Sequence, residues 1–165
     1  MCHPAQLPVE RLLAKCEIKR TRGSGPGGQH RNKVETAIVV EHSPTGLRGE
    51  ASERRSQEQN RQQAILRLRV KLALEVRREP TQQPSELWRR RATGSRLSVS
   101  AGHKDFPAVL AEALDVMYDS TFSLSTAAQR LGISSSQLVK LLKVEPVALA
   151  NVNRERQSRG ESPLR

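Results

Sequence analysis

The sequence predicts an α+β fold: a short sheet backed by one long helix, with a glycine-rich loop projecting from it, then a small all-α module of helix-turn-helix-like arrangement. Three observations carry that expectation. β-branched or alternating runs at 16–21, 36–42 and 47–51 sit beside turn-forming residues. A stretch with helical apolar spacing starts behind a capping residue at Ser56. From Pro107 onward, apolar residues recur at the three-to-four spacing of packed helices.

The elements follow in order. Pro8 to Ala14 forms a short helix whose apolar contribution is Leu12 and Leu13. Cys16–Thr21 alternates, Cys16 and Ile18 against Glu17 and Lys19, and predicts a half-buried strand. Thr36–His42 and Leu47–Ala51 form a hairpin through Ser43-Pro44-Thr45-Gly46. Ser56 as N-cap and Gln59 at the third helical position open a helix expected to reach Arg78. Ile65, Leu68, Leu72 and Val76 are its buried stripe, with Arg61, Arg67, Arg69 and Lys71 on the other faces. Two prolines and a basic cluster mark a linker, with Trp88 anchoring it on the first domain and a short strand at Leu97–Ser100. Pro107 opens a helix through Val109, Leu110, Ala113, Leu114 and Met117. Ser125–Leu131, the turn Gly132-Ile133 and Ser134–Lys143 form a helical pair with a second capping box at Ser134 and Gln137, and Pro146 opens a last helix ending near Gly160. The expected divisions are a first domain at 1–78, a basic linker at 79–104 and a helical module at 105–165.

Charge narrows the class of partner. The 165 residues carry 28 Lys/Arg against 17 Asp/Glu, a net charge of +11. Residues 1–104 hold 21 basic and 10 acidic residues, an excess of 11, whereas 105–165 hold seven of each. The polyanion is therefore to be sought by the first part of the chain, and nucleic acid is the leading partner. The aromatic residues are four, Trp88, Phe106, Tyr118 and Phe122, and the apolar fraction is 36%, low for one large core. No apolar run approaches the roughly 20 residues of a membrane span, and no signal peptide opens the chain. Two isolated thiols suit a reducing cytosol, Cys2, Cys16 and His3 are expected to be inert, and no metal or cofactor is expected.

The chemistry concentrates in Gly23-Ser24-Gly25-Pro26-Gly27-Gly28-Gln29. This run lacks the Lys-Ser/Thr ending of a P-loop and the GxGxxG spacing. No Ser–His–Asp set and no carboxylate pair accompanies it. A loop so poor in side chains brings backbone N–H groups close to a developing oxyanion, a large catalytic effect that requires no titrating group. The cations Lys19, Arg20, Arg22, Arg31 and Lys33 surround it.

Residues 8–78 resemble the catalytic domain of the class I peptide chain release factor family. The resemblance rests on Gly27-Gly28-Gln29, followed at the family's intervals by Asn32-Lys33, Pro44-Thr45-Gly46, Arg55-Ser56-Gln57 and Asn60-Arg61. It implies hydrolysis of the ester that joins a nascent peptide to P-site tRNA in the ribosomal peptidyl transferase centre. The Gln29 N–H would stabilise the transition state or the leaving oxygen, its side chain would place water, and Gly27 and Gly28 would permit the loop conformation. Gln29 is also the position that the family methylates. Arg22, His30, Arg31, Asn32, Lys33, Arg55, Arg61, Arg89, Arg90 and Arg91 are the expected RNA contacts. Arg31 replaces the family's small apolar residue. His30 has two readings, a general base or a loop-positioning residue, and Arg89–Arg91 likewise, a solvated charge run or an RNA clamp.

About seven residues precede the matched region, so the layout is similar to the short, codon-independent ribosome rescue hydrolases. Those carry a basic tail in the mRNA channel, where this chain has a short basic segment and a neutral helical module. The partners implied are the ribosome, through large-subunit rRNA and peptidyl-tRNA, and the mRNA channel, for a monomeric, cytoplasmic, ribosome-associated protein. The alternative is a noncatalytic RNA- or DNA-binding protein using the basic domain or the helix-turn-helix.

Overall fold

The structure, a computed structural model, describes residues 2–21 and 37–165. It is α+β, and it packs as two units, one of Leu7–Leu72 and one of Met1–Gln6 with Ala73–Arg165.

In the first unit, α1 (Val9–Leu13) leads into a three-stranded antiparallel sheet of order β1 (Cys16–Thr21), β2 (Ala37–His42), β3 (Leu47–Ala51). The β2–β3 turn closes as its residues predict. Gly46 takes φ +70°, and both the Thr45 and Gly46 amides donate to the His42 carbonyl. α2 (Gln57–Glu75) starts where expected, with the Gln59 amide donating to Ser56 Oγ at 3.3 Å. It lies against β3 at Gly49, where a Cβ would run into the backbone of Ala64 and Leu68. The register pairs Val40 with Gly49 and Ile38 with Ala51, so these four buried residues share the face toward that helix.

Three expectations change here. β1 is an edge strand, and Ile18 is 40% exposed instead of half-buried, because the helix packs over β3 at the opposite edge. Arg69 lies inside the buried arc with Ile65, Leu68, Leu72 and Ala73, so the buried face is wider than one apolar stripe. α2 ends at Glu75, not near Arg78. Beyond it the chain is held by other partners: the Val76 carbonyl accepts from His3 and the Arg78 amide donates to Asp115.

The second unit is helical. α3 (Glu86–Arg91) runs straight into a hairpin of β4 (Ala92–Thr93) and β5 (Arg96–Leu97), shorter than the strand expected at 97–100. α4 (Phe106–Asp119) is buried from Phe106 through Met117 and forms the unit's axis. Around it lie α5 (Leu124–Leu131), α6 (Ser135–Val144) and α7 (Pro146–Ser158). Gly132 at φ +67° ends α5, and Ile133 donates back to Ala128, closing the turn with a left-handed residue. Thr121 and Phe122 adopt positive φ at the end of α4 without being glycine, held by Phe122 N–H to Met117 and by Arg156 donating to the Phe122 carbonyl.

Packing places 79–104 within this unit. Ser85 caps α3, and Glu112 of α4 accepts from both the Ser85 amide, at 2.7 Å, and its hydroxyl, at 2.5 Å. Trp88 is an anchor, but not onto the first domain. Its indole N–H donates to the Leu131 carbonyl at 2.8 Å, which buries the ring within the helical unit. The segment Pro4–Gln6, a 3₁₀ turn, packs on α4 as well. No helix among the described residues is long and apolar enough to cross a membrane.

Candidate functional site

Of the expected site residues, Gly27, Gly28, Gln29, Arg22, His30, Arg31, Asn32 and Lys33 lie outside the described residues. The structure does define the frame from which they depart. Thr21, the last residue of β1, is the register partner of Ala37, the first of β2. Both ends of the segment that carries the Gly-Gly-Gln tripeptide are therefore neighbours on a sheet. β2 is the central strand, bonded on both sides, and Ala37 and Ile38 at its start are buried. Such an anchorage fixes where the segment begins and ends.

A second part of the motif acts through the backbone. Asn60 is fully buried at the start of α2. Its Oδ1 accepts from the Arg54 amide at 2.9 Å and its Nδ2 donates to the Arg54 carbonyl at 2.8 Å. One side-chain amide thus satisfies both peptide groups of Arg54, and the turn 52–56 is closed around it. Arg67, two turns on, donates to the Glu50 carbonyl at 2.6 Å and bridges Glu53 at 2.7 Å. Burial by itself would raise the Glu53 carboxyl; its own amide, that of Ser52 and Arg67 outweigh this and hold it below the usual range. Arg55 is left exposed, and Arg61 is half-buried with a weak contact of 3.8 Å to Glu58. These two are the described cations of the first unit that the sequence singled out for RNA.

In the second unit the expected cluster separates. Arg89 and Arg90 are exposed. Arg91 is committed: its guanidinium meets Asp105 at 2.6 Å and His103 at 2.9 Å. Burial tends to raise Asp105, but Arg91, His103 and Lys104 outweigh it and hold its carboxyl below the usual range. Asp105 in consequence does not cap α4 with its side chain. The aspartates of α4 are likewise engaged by arginines. Asp115 receives Arg77 at 3.0 Å and the Arg78 amide at 3.1 Å, and Asp119 receives Arg130. Gln137 does not complete a capping box; its Oε1 accepts from the Leu97 amide of the hairpin at 3.2 Å.

Sequence reasoning missed His3, Gly49, Glu112 and Asp115. Each acts on a partner in another element, a relation that spacing does not encode. His3 was expected to be inert, and it is a buried hydrogen-bonded pin.

Residues 9–105 match the RF-1 domain family, so the match takes in α3 and the hairpin as well as the sheet and α2. The chain is 45% identical over 67 residues to the chloroplastic peptide chain release factor PrfB1 of Arabidopsis thaliana, covering 41% of this chain and 14% of that protein. It is 44% identical over 66 residues to peptide chain release factor 1 of Leptothrix cholodnii, covering 40% of this chain and 18% of the other. The chain thus aligns with less than a fifth of the length of either relative. With the family match spanning more than half its residues, this chain belongs to the class I peptide chain release factor family, as the bearer of an RF-1 domain.

Proposed function

We propose that this chain releases nascent peptides on the ribosome by hydrolysing the ester of peptidyl-tRNA, and does so without reading a codon. The observation that carries the reading is the Gly27-Gly28-Gln29 tripeptide inside the RF-1 match, flanked by strand ends that are partners in a sheet. Chemically, water attacks the ester carbonyl, the carbonyl oxygen gains negative charge, and the bond to the tRNA ribose oxygen breaks as that oxygen takes up a proton. The Gln29 amide N–H would stabilise the charge on oxygen, its side chain would place the water, and Gly27 and Gly28 would let the backbone approach. Arg55 and Arg61 would contact rRNA phosphates beside the loop cations Arg22, Arg31 and Lys33. The codon-independent form of the reading rests on the similarity of residues 8–78 to the short rescue hydrolases, from which the neutral helical module after the basic segment departs. A cytoplasmic, ribosome-bound monomer is the corresponding state.

In this reading α5 and α6 are a helix-turn-helix-like pair used for docking and not for entering a DNA groove. What favours docking is the first turn of α6, whose residues bond to the hairpin: the Ser134 amide to Ser95, and Gln137 to Leu97. A groove reader keeps that end free for base edges. The test is release of labelled peptide from purified ribosomes carrying peptidyl-tRNA. Release that requires added chain and persists with an empty A site supports the proposal, and absence of release at saturating chain refutes it.

A further inference from the structure

Five carboxylates of the helical unit are assigned to particular partners. Asp105 holds Arg91, Asp115 holds Arg77, Asp119 holds Arg130 and Glu161 holds Arg156, while Glu112 accepts from Ser85. Among the described residues Arg89, Arg90 and Arg96 have no such ion pair, and all three are exposed. One carboxylate shares their segment: Glu86, exposed, a turn ahead of Arg89 and Arg90 on α3 and making no ion pair with them. On α3 and the hairpin that follows it, three exposed arginines without an ion pair thus stand against a single carboxylate.

The backbone beneath these cations is rigid. α3 is pinned by Trp88 to the Leu131 carbonyl, and its last carbonyl, that of Arg91, accepts from Ser98 beyond the hairpin. Arg96 lies between two residues that both bond to the first turn of α6: the Ser95 carbonyl accepts from Ser134, and the Leu97 amide donates to Gln137. The hairpin alternates accordingly. Ala92 and Leu97 are half-buried, whereas the paired Thr93 and Arg96 are exposed. Lys140, also exposed, is one helical turn beyond Gln137 on the side the hairpin occupies. The exposed residues from 89 to 96 are Arg89, Arg90, Thr93, Gly94, Ser95 and Arg96, with no apolar side chain among them. A protein interface generally has an apolar centre, and this surface has none. Polar, cationic, preordered surfaces suit phosphate, and guanidinium forks grip its oxygens in pairs.

We infer that α3 and the β4–β5 hairpin form an RNA-backbone docking surface, with Arg89, Arg90 and Arg96 as its phosphate contacts and Lys140 at its margin. The choice of RNA over DNA rests on the function proposed above; the surface itself does not. Arg91 is excluded from the contact set, because Asp105 already neutralises it.

The test uses the full chain, with binding to purified ribosomes and to a stem-loop RNA followed across potassium chloride concentration. Changing Arg89, Arg90 and Arg96 together to Gln is expected to lower affinity at least roughly tenfold and to reduce the slope of log affinity against log salt by about 2–3. Changing Lys143, Arg154 and Arg165 to Gln removes the same charge from other exposed positions of the unit and is expected to leave the slope nearly unchanged. Lys at the three arginine positions is expected to retain the slope. All the affected residues are exposed, so unchanged thermal melting confirms that the fold is kept. Equal losses in the two Gln triples, or no loss in the first, overturn the surface, as does tighter binding of a DNA duplex or of an acidic protein. If wild-type chain binds RNA with this arginine dependence yet releases no peptide, the proposed function falls and the surface stands. Release by a chain whose arginine triple binds as wild type gives the reverse.

Discussion

His3 Nε2 donates to the Val76 carbonyl at 3.0 Å, across 73 positions of sequence, while its Nδ1 accepts from the Ala5 amide at 3.0 Å. A carbonyl only accepts and an amide only donates, so the ring is neutral with its proton on Nε2. Protonating Nδ1 would set two N–H groups against each other. Burial pushes the imidazole down to about 4, aided by Arg77 and Arg78 and opposed by the bond to Val76. A depressed histidine contributes stability that is present above its unfolded value near 6.5 and is lost as pH falls toward 4. Asp115 behaves oppositely. Burial lifts it to about 6 against the pull of the Arg78 amide and Arg77, so its contribution is present below its unfolded value near 3.8 and is lost as pH rises through 6. The deficit of His3→Gln relative to wild type should therefore shrink by about 3 kcal/mol between pH 7 and 4. That of Asp115→Asn should grow over the same interval. Urea unfolding at pH 7, 5.5 and 4 reads both, and parallel trends would contradict the assignment.

Gly28→Ala should abolish most peptide release while the chain still co-sediments with ribosomes. The side chain would obstruct the approach of the loop, whereas binding rests on arginines and lysines elsewhere. Full release by the variant would remove the loop from the mechanism.

Release should be about equal with stop and sense codons in the A site, and greater with mRNA truncated at the P site. Comparing initial rates on the three complexes decides it. A strong preference for stop codons would overturn codon independence.

Gly49→Ala should destabilise the first unit by roughly 2–3 kcal/mol, because the added carbon meets the backbone of Ala64 and Leu68 and the helix must shift from the strand. Chemical denaturation measures the loss. A neutral outcome would mean that β3 and α2 separate at little cost.

Selection from a random pool of DNA duplexes should enrich no sequence. The first turn of α6 is bonded to Ser95 and Leu97, so the Gln137 side-chain oxygen is already engaged by the hairpin. A reproducible enriched motif would favour the DNA-binding alternative.

Local chemistry alone determined a good part of this protein. Ser56, Ser134, Pro107, Pro146, Gly46 and Gly132 act at helix starts, helix ends and the hairpin turn, where a cap, a fixed φ or a left-handed residue is a property of one or two neighbouring positions. The Gly-Gly-Gln tripeptide and its ordered companions were legible for the same reason: their identity and spacing lie along the chain. Tertiary structure decided what depends on a distant partner. Nothing along the chain marks Asp105 and Asp115 as the partners of Arg91 and Arg77, and the fold places each pair together. Trp88 read as an anchor onto the first domain, and the fold instead sends its indole N–H to Leu131 of the helical unit. His3, Asn60 and Gly49 have no period and no run to mark them, and their roles arise from groups brought together across 73 residues, from two unpaired peptide groups, and from one close backbone approach. A sequence states which groups can pair, and only the fold selects the pairs, because burial makes an unmatched polar group costly and a matched one secure.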